Sequence, residues 1–239
     1  MIPSPVLPVE GLGFAAGGVS VLHGVDLAVA DGEFIGIIGP NGAGKTTLFN
    51  LLSGLSRASA GRIELAGRDI TRLSPAARAR RGLGRTFQTS LLFGALPARE
   101  NVRLAAQASK LKNATSIAAQ AIDSVGLTAI AGRPASALSH GDKRKLELAI
   151  LMAGGSRVLL LDEPMAGVNS EDVPGLTELI ARLHKEGRTV LMVEHHIAVV
   201  LGLAQRVAVL HHGQLLACDV PEKVMRDETV QAAYLGEPL

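Results

Sequence analysis

One stretch decides the fold of this chain: Gly39-Pro40-Asn41-Gly42-Ala43-Gly44-Lys45-Thr46-Thr47. It fits the pattern of a glycine, four variable residues, a second glycine, a lysine and a serine or threonine. The apolar residues 34–38 before it predict a buried strand, and residues 48–52 after it predict a helix. A glycine loop between a strand and a helix aims several backbone N–H groups at one point. The sequence therefore predicts a site for nucleotide phosphates, where Lys45 reaches the terminal phosphates and Thr46 holds Mg²⁺.

Strand and helix patterns alternate on both sides of this loop. Helices between strands predict a mainly parallel sheet covered on both faces, with the nucleotide at the carboxyl ends of the strands. Residues 97–154 carry only helical patterns. The other predicted strands cover residues 6–29 (two strands around a turn at 15–18), 61–67, 82–88, 158–161, 189–193, 206–210 and 214–218, and the other predicted helices start at 74 and cover 173–186 and 197–204.

Composition excludes several classes of protein. The chain has 239 residues, 47% of them hydrophobic and 19% charged, which is typical of a globular protein rather than a disordered one. A net charge of +2 and only 3% aromatic residues argue against a nucleic-acid partner. The single cysteine, Cys218, excludes an internal disulfide framework. Because no apolar run approaches the roughly 18 residues of a spanning helix, and Met1–Pro5 lack the pattern of a signal peptide, we expect a cytoplasmic protein.

Two carboxylates follow the predicted strand at 158–161. Asp162 would reach Mg²⁺ directly or through water, and Glu163 would polarise the water that attacks a phosphate. Taken alone, such a pair of carboxylates is equally typical of a turn at the end of a strand and of a catalytic site. The phosphate loop upstream favours the catalytic interpretation.

A third segment, Leu138-Ser139-His140-Gly141-Asp142, precedes a helical pattern. Ser139 is a good N-cap residue, and capping is one sufficient role for it. A serine and a glycine N–H at a helix N-terminus also make a site for an anion.

Together these motifs resemble the ATP-binding subunit of an ATP-binding-cassette (ABC) transporter, in order and spacing along nearly the whole chain. The glycine loop resembles that family's Walker A motif, and residues 159–163 lie in its Walker B motif. Residues 138–142 resemble the signature motif, usually Leu-Ser-Gly-Gly-Gln. Thr86-Phe87-Gln88 resembles the Q-loop, and Glu194-His195 the switch histidine.

The resemblance implies roles for these residues. Catalysis would involve Glu163, His195, which would bond the γ-phosphate, and Gln88, which would sense the γ-phosphate and Mg²⁺. In this family two subunits enclose two ATP molecules, so the signature motif would contact ATP held by the other subunit. The resemblance thus places ATP phosphates at Gly39, Pro40, Asn41, Gly42, Ala43, Gly44, Lys45, Thr46 and Thr47, Mg²⁺ at Thr46, Gln88 and Asp162, and the contacts with the other subunit's ATP at Ser139, His140, Gly141 and Asp142.

The implied fold is α/β: a P-loop NTPase (RecA-like) core with a parallel sheet, an N-terminal antiparallel β subdomain and an α-helical signature subdomain. The chain would be a single ABC ATPase domain over residues 1–239. Residues 1–88 and 155–239 would form the nucleotide-binding core, and residues 89–154 the helical subdomain.

Three departures from the family pattern bear on the site. His140 and Asp142 replace the usual glycine and glutamine of the signature motif, which predicts a working but altered contact. Asn169 stands where the loop after Walker B usually ends in Asp, at the dimer seam. The aromatic residue that stacks on adenine is missing: Ala16 occupies its position, and Phe14 either substitutes for it or belongs to the core.

Local motifs resemble one branch of the family, the importers of branched-chain amino acids, other amino acids, amides or urea. These motifs are Gly84–Gln88, Ala166–Asn169 and Ala233–Glu237. Members pair two ATPase subunits, identical or not, with two membrane permeases and a solute-binding protein, at the cytoplasmic face of the plasma membrane. The alternatives are a lipopolysaccharide-exporting ATPase, a soluble non-transport ABC ATPase, and a cassette that binds ATP without turnover.

Two features remain open between a functional and a structural interpretation. Residues 91–93 either form part of a permease-binding groove or pack within the helical subdomain. The arginines at 78, 80 and 81 either contact phosphates or form a solvated helix face, and the second interpretation is favoured.

Overall fold

The chain forms two β-sheets and a set of helices, and the computed structural model describes residues 5–235. The strands are β1 (Leu7–Ala16), β2 (Val19–Val29), β3 (Phe34–Ile38), β4 (Ala60–Leu65), β5 (Arg68–Asp69), β6 (Leu83–Arg85), β7 (Val158–Asp162), β8 (Thr189–Val193), β9 (Arg206–His211) and β10 (Gln214–Asp219). The helices are α1 (Lys45–Ser53), α2 (Pro75–Ala79), α3 (Ala98–Ala108), α4 (Ala114–Ser124), α5 (His140–Ala153), α6 (Val173–Lys185), α7 (Ile197–Leu203), α8 (Pro221–Arg226) and α9 (Glu228–Leu235).

A six-stranded sheet in the order β10-β9-β3-β8-β7-β6 forms the centre of the molecule. Its strands from β9 to β6 run parallel, and β10 joins β9 as an antiparallel hairpin. All residues of β3, β7 and β8 are buried, as expected of parallel strands covered on both faces. The loops that follow β3, β7 and β8 therefore lie at one edge of this sheet.

Alternate residues of β3 divide the core into two parts. Ile35 and Ile37 face one apolar cluster, which also contains the inner side of α1 and the antiparallel sheet β2-β1-β4-β5. Phe34 and Ile38 face the other cluster, which continues into α3, α4, α5 and α6. This alternation is the two-residue period of a strand. It makes the parallel sheet the common wall between the antiparallel sheet and the helices.

The predicted fold class is confirmed, and most predicted elements are observed. The strand expected at residues 82–88 is shorter, since β6 ends at Arg85. Helices α8 and α9 were not predicted. The division into a core and a helical subdomain stays a prediction. Within residues 5–235 no helix combines the length and the apolar character that crossing a membrane requires.

The predicted solvated arginine face on α2 is wrong at one position. Arg80 and Arg81 are exposed, but Arg78 is only 1% exposed. Its guanidinium donates to the carbonyl oxygens of Leu51 and Leu52 at the end of α1, and to those of two loop residues, Leu73 and Thr71. The last carbonyls of a helix lack partners within the helix and attract a cation, which explains the burial of this charge.

Candidate functional site

The glycine loop turns sharply between β3 and α1. Gly39 has φ +151° and Gly44 has φ +105°. A Cβ at Gly39 would lie 2.1 Å from the carbonyl oxygen of Leu210, so only glycine fits there. Gly44 is the N-cap of α1 and supplies no side chain to cap it. The first N–H groups of α1 are therefore available to an anion.

Lys45 lies across this loop. Its Nζ donates to the carbonyl oxygens of Gly39, at 2.5 Å, and Pro40, at 2.9 Å. Burial lowers the pKa of Lys45, while the charges of Glu163 and Asp162 raise it. A buried cation held only by carbonyl oxygens and facing two carboxylates is well placed to exchange those carbonyls for phosphate oxygens.

Asp162 ends β7 and is 1% exposed. Its N–H donates to Thr86 Oγ1 at 3.1 Å, and its Oδ2 accepts from Arg85 Nη2 at 2.7 Å. Its other oxygen, Oδ1, is buried and has no hydrogen-bond partner within residues 5–235. An unpartnered carboxylate oxygen near the loop that carries Thr46 suits Mg²⁺, because this ion takes oxygen ligands.

Glu163 is held in the left-handed region, with φ +47°, a conformation that costs a residue with a side chain about 1–3 kcal/mol. Its Oε1 accepts from Gln88 Nε2 at 2.7 Å and lies 3.0 Å from His195 Nε2. The three predicted catalytic side chains, which come from three separate loops, therefore meet at one carboxylate oxygen.

A polar pocket of about 300 Å³ lies between the glycine loop and the three predicted catalytic side chains. Thr46 is exposed in it, and Val21 of β2 adds an apolar wall that was not predicted. The pocket is lined by Val21, Asn41, Gly42, Ala43, Gly44, Lys45, Thr46, Thr47, Gln88, Glu163 and His195.

The signature segment lies outside the lining of this pocket. Ser139 caps α5, and its Oγ accepts from the N–H of Asp142 at 3.1 Å. Ser139 and His140 are exposed, Asp142 is half-buried, and Gly141 is buried close to the carboxylate of Asp172. The capping role is therefore present, and the two exposed side chains are accessible to another molecule.

Asn169 and the two candidates for adenine binding also lie outside the pocket lining. Asn169 is exposed on the loop after β7. Phe14 is half-buried and packs against the apolar cluster under the antiparallel sheet, whereas Ala16 is exposed at the end of β1. Adenine stacking at either position stays a prediction.

Glu194, to which the sequence assigned no separate role, connects two loops of the site. It follows β8 and is 4% exposed. Its Oε1 accepts from the N–H of Met165 at 2.7 Å, and its Oε2 accepts from the N–H of His195 at 3.0 Å. One carboxylate thus fixes the backbone after Glu163 relative to the backbone of His195. An acidic residue immediately after the apolar run Val190–Val193 was the only signal in the sequence.

Arg144 on α5 was also missed. It is 6% exposed and donates to the carbonyl oxygens of Phe87, at 2.7 Å, Gln88, at 2.8 Å, and Ala166, at 3.3 Å. Glu147 balances its charge at 3.0 Å. Arg144 therefore connects the helix of the signature segment to the backbone of two pocket loops.

Comparison with known families gives this arrangement a context. The family model described as ABC transporter matches residues 22–166, more than half of the chain. The chain belongs to the ABC transporter family. A second family model, described as branched-chain amino acid ATP-binding cassette transporter, matches residues 214–238.

Relatives of this ABC protein match it over nearly its whole length. A high-affinity branched-chain amino acid transport ATP-binding protein from Pseudomonas aeruginosa is 38% identical, covering 98% of both chains. A lipopolysaccharide export system ATP-binding protein from Haemophilus influenzae is 34% identical, covering 97% of this chain and 98% of the other. The crystal structure of a nucleotide-free ATP-binding cassette from an ABC transporter superposes with a TM-score of 0.88 at 27% identity, covering 98% of this chain and all of the other.

The predicted family and its importer branch are confirmed by these matches. The ABC protein described here is accordingly an ATP-binding and ATP-hydrolysing protein. The roles of its individual site residues remain predictions.

Proposed function

We propose that the chain is the ATPase subunit of an importer for branched-chain amino acids or related amino acids, amides or urea. The observation that carries this proposal is the pocket in which Lys45, Gln88, Glu163 and His195 meet at the glycine loop. The 38% identity to a branched-chain amino acid transport ATP-binding protein supports the direction of transport and the class of solute.

Each residue of the pocket takes a distinct role in hydrolysis. The N–H groups at the start of α1 bind the phosphates, and Lys45 exchanges the carbonyl oxygens of Gly39 and Pro40 for phosphate oxygens. Glu163 accepts a proton from the attacking water. His195 and Gln88, both at its Oε1, orient that carboxylate before ATP arrives and then contact the γ-phosphate.

Asp162 Oδ1, the Thr46 hydroxyl and the Gln88 side chain hold Mg²⁺ in this proposal. The unpartnered Oδ1 within the described chain supports this assignment. Bound Mg²⁺ would neutralise charge that develops on the phosphate oxygens.

The catalytic unit is a dimer of ABC subunits, identical or not. Exposed Ser139 and His140, with Gly141 and Asp142, contact the ATP bound in the second subunit, and Asn169 lies at the seam between the subunits. The absence of the signature segment from the pocket lining supports this arrangement, because its capped helix N-terminus is unused by the pocket of its own chain.

Two permease subunits and a solute-binding protein complete the importer. The ATPase lies at the cytoplasmic face of the plasma membrane and is held there by the permeases. Residues 91–93 support a docking surface: Leu91 is 68% and Phe93 is 62% exposed, whereas Leu92 packs against the helical core. Leu92 thus packs within the helical subdomain, and Leu91 and Phe93 are the side chains proposed to contact a permease.

Transport measurements test the proposal. The chain is co-expressed with candidate permeases, reconstituted in proteoliposomes with a candidate solute-binding protein, and supplied with ATP inside. We expect uptake of labelled leucine, valine or urea that a Glu163→Gln variant abolishes. Movement of lipopolysaccharide instead would favour an exporter, as the relative from Haemophilus influenzae makes conceivable. Failure to copurify with any permease would contradict a transport role.

A further inference from the structure

Arg85 lies beside Asp162, the proposed magnesium ligand, and does not line the pocket itself. It ends β6 and pairs with Leu160 of β7, the second residue before Asp162. Its side chain is 5% exposed, and its Nη2 donates to Asp162 Oδ2 at 2.7 Å, where the Asp162 side chain is 2% exposed. The pair is therefore a buried, charge-assisted hydrogen bond rather than a surface ion pair.

The other end of the same guanidinium is fixed to α1. Nη1 donates to Asn50 Oδ1 at 2.7 Å and to Ser53 Oγ at 3.0 Å. The guanidinium also lies 5.6 Å from the ring centre of Phe49 and 5.1 Å from that of Phe87, within the range of cation–π contacts. Arg85 thus joins Asp162 to the helix whose first residues are Lys45 and Thr46.

These contacts divide the two oxygens of Asp162 between different tasks. Oδ2 is held by Arg85, and Oδ1 is buried and without a partner in the described part of the chain. Because Asn50, Ser53 and the two aromatic rings hold the planar guanidinium in place, its Nη2 fixes where Oδ2 lies. A carboxylate fixed in this way presents its free oxygen in one direction. Groups that orient metal ligands tune metal affinity in the same manner.

We propose that Arg85 is a positioning residue that holds Asp162 with Oδ1 free, and so makes nucleotide binding depend on magnesium. This inference rests on the magnesium site proposed above. Arg85 is absent from the lining of the pocket, so it acts through Asp162. Its substitution therefore lowers the affinity for magnesium-bound ATP and leaves the affinity for metal-free ATP unchanged.

The chain offers a matched control in Arg78. This arginine of α2 is also buried and donates to α1, at the carbonyl oxygens of Leu51 and Leu52, but it makes no hydrogen bond to Asp162. Replacement of Arg78 removes a buried charge that contacts α1 and leaves the hydrogen bond to Asp162 intact. It separates a loss of helix anchoring from a loss of Asp162 orientation.

The test measures ATP affinity in the full-length Glu163→Gln chain, where hydrolysis does not interfere, with Mg²⁺ and with EDTA. The compared chains carry Arg85→Met, Arg85→Lys, Arg78→Met or Arg78→Lys in addition. We expect Arg85→Met to reduce the gain in affinity that Mg²⁺ confers by about tenfold or more, with the EDTA value kept within about twofold. Arg85→Lys should give an intermediate loss, because one ammonium group cannot serve Asp162 and Asn50 in the planar fork geometry. Both Arg78 variants should keep the full gain.

Three results would overturn the inference. One is an unchanged magnesium gain in both Arg85 variants. Another is an equal fall of the affinities with and without Mg²⁺, together with a fall in the melting temperature, which would assign Arg85 to packing alone. If Arg85→Met does not fold, the comparison of Arg85→Lys with Arg78→Lys decides, since lysine keeps the positive charge and nearly the length of arginine. If the parent chain itself gains no affinity from Mg²⁺, the proposed metal site fails first, and the role of Arg85 falls with it.

Discussion

At the scale of single residues, the pocket depends on a carboxylate in an unfavourable backbone conformation. Glu163 has φ +47°, and its N–H donates to the carbonyl oxygen of Val193 at 2.9 Å. This bond to β8 helps to offset the strain and turns the side chain towards Gln88 and His195. The conformation that costs stability is therefore the one that assembles the site.

Glu163→Gln tests the general base directly. Glutamine preserves the shape and the backbone but cannot accept a proton from water, so we expect steady-state phosphate release to fall at least about 100-fold with ATP binding retained. Glu186→Gln, at an exposed acid paired with Arg188, is the control and should keep normal activity. Equal turnover in the two variants would indicate that another group activates the water.

Glu194→Ala tests whether the Glu194 carboxylate holds the loop after β7 against the loop after β8. The substitution leaves the N–H groups of Met165 and His195 without their acceptor, and the buried orphan at Met165 costs about 1–3 kcal/mol. We expect the free energy of unfolding in urea to fall by about 2 kcal/mol or more, together with a loss of ATPase activity as His195 is released. Glu186→Ala is again the control. An unchanged free energy of unfolding would show that water replaces the carboxylate.

At the scale of elements, α5 carries both the signature segment and the contact to the pocket. Its N-terminal residue follows the Ser139 cap, and one turn later Arg144 bonds the backbone of Gln88. Because a helix is rigid over this length, a shift of the Gln88 loop must move Ser139 as well. The element thus connects the pocket to the signature segment, which we propose contacts the second subunit.

Arg144→Met tests this connection. It removes three bonds to backbone carbonyls and leaves Glu147 buried without its cation, so we expect a loss of stability of about 3–5 kcal/mol. In the Glu163→Gln background we also expect ATP binding to the monomer to persist while ATP-induced dimerisation weakens, measured by light scattering.

Lys143→Met is the matched control, on the same helix but half-buried. If both variants dimerise equally, the signature segment is positioned independently of Arg144. Arg144→Lys should recover part of the dimer, because an ammonium group still donates to one or two of the carbonyls.

At the scale of the whole molecule, exposed apolar side chains form the surface that we propose binds the permeases. Leu91 and Phe93 follow the Gln88 loop, and an apolar groove of about 350 Å³ is lined by Phe87, Arg85 and Leu151, among others. A docking surface at this place would lie close to the residues that respond to ATP. It would let a permease be moved by the nucleotide state.

The double variant Leu91→Glu/Phe93→Glu tests this surface. Two charges in place of exposed apolar side chains should remove copurification of the permeases and leave the ATPase activity and melting temperature of the isolated chain nearly unchanged. Met225→Glu, at a side chain 42% exposed on α8, is the control. Permease binding that survives the double variant would move the interface elsewhere.

The sequence alone determined most of the elements and the phosphate loop, because both depend on local patterns. Buried strands such as β3 and β7 are continuous apolar runs, and the glycine loop needs only its own residues to turn. The Ala233–Glu237 motif was likewise visible in sequence, although its last residues lie outside the described part of the chain. Catalytic residues were identified by family resemblance, which names residues but does not give their contacts.

Only the tertiary structure decided which charges are buried and what they hold. Arg78, Arg85, Arg144 and Glu194 look like ordinary surface charges in the sequence, yet each binds groups far away along the chain. The order β3-β8-β7-β6 brings Gln88, Glu163 and His195 to one edge, and this order depends on long-range strand pairing that no local pattern encodes. A charge can be buried only where distant partners meet it, so its role appears only when the chain is folded.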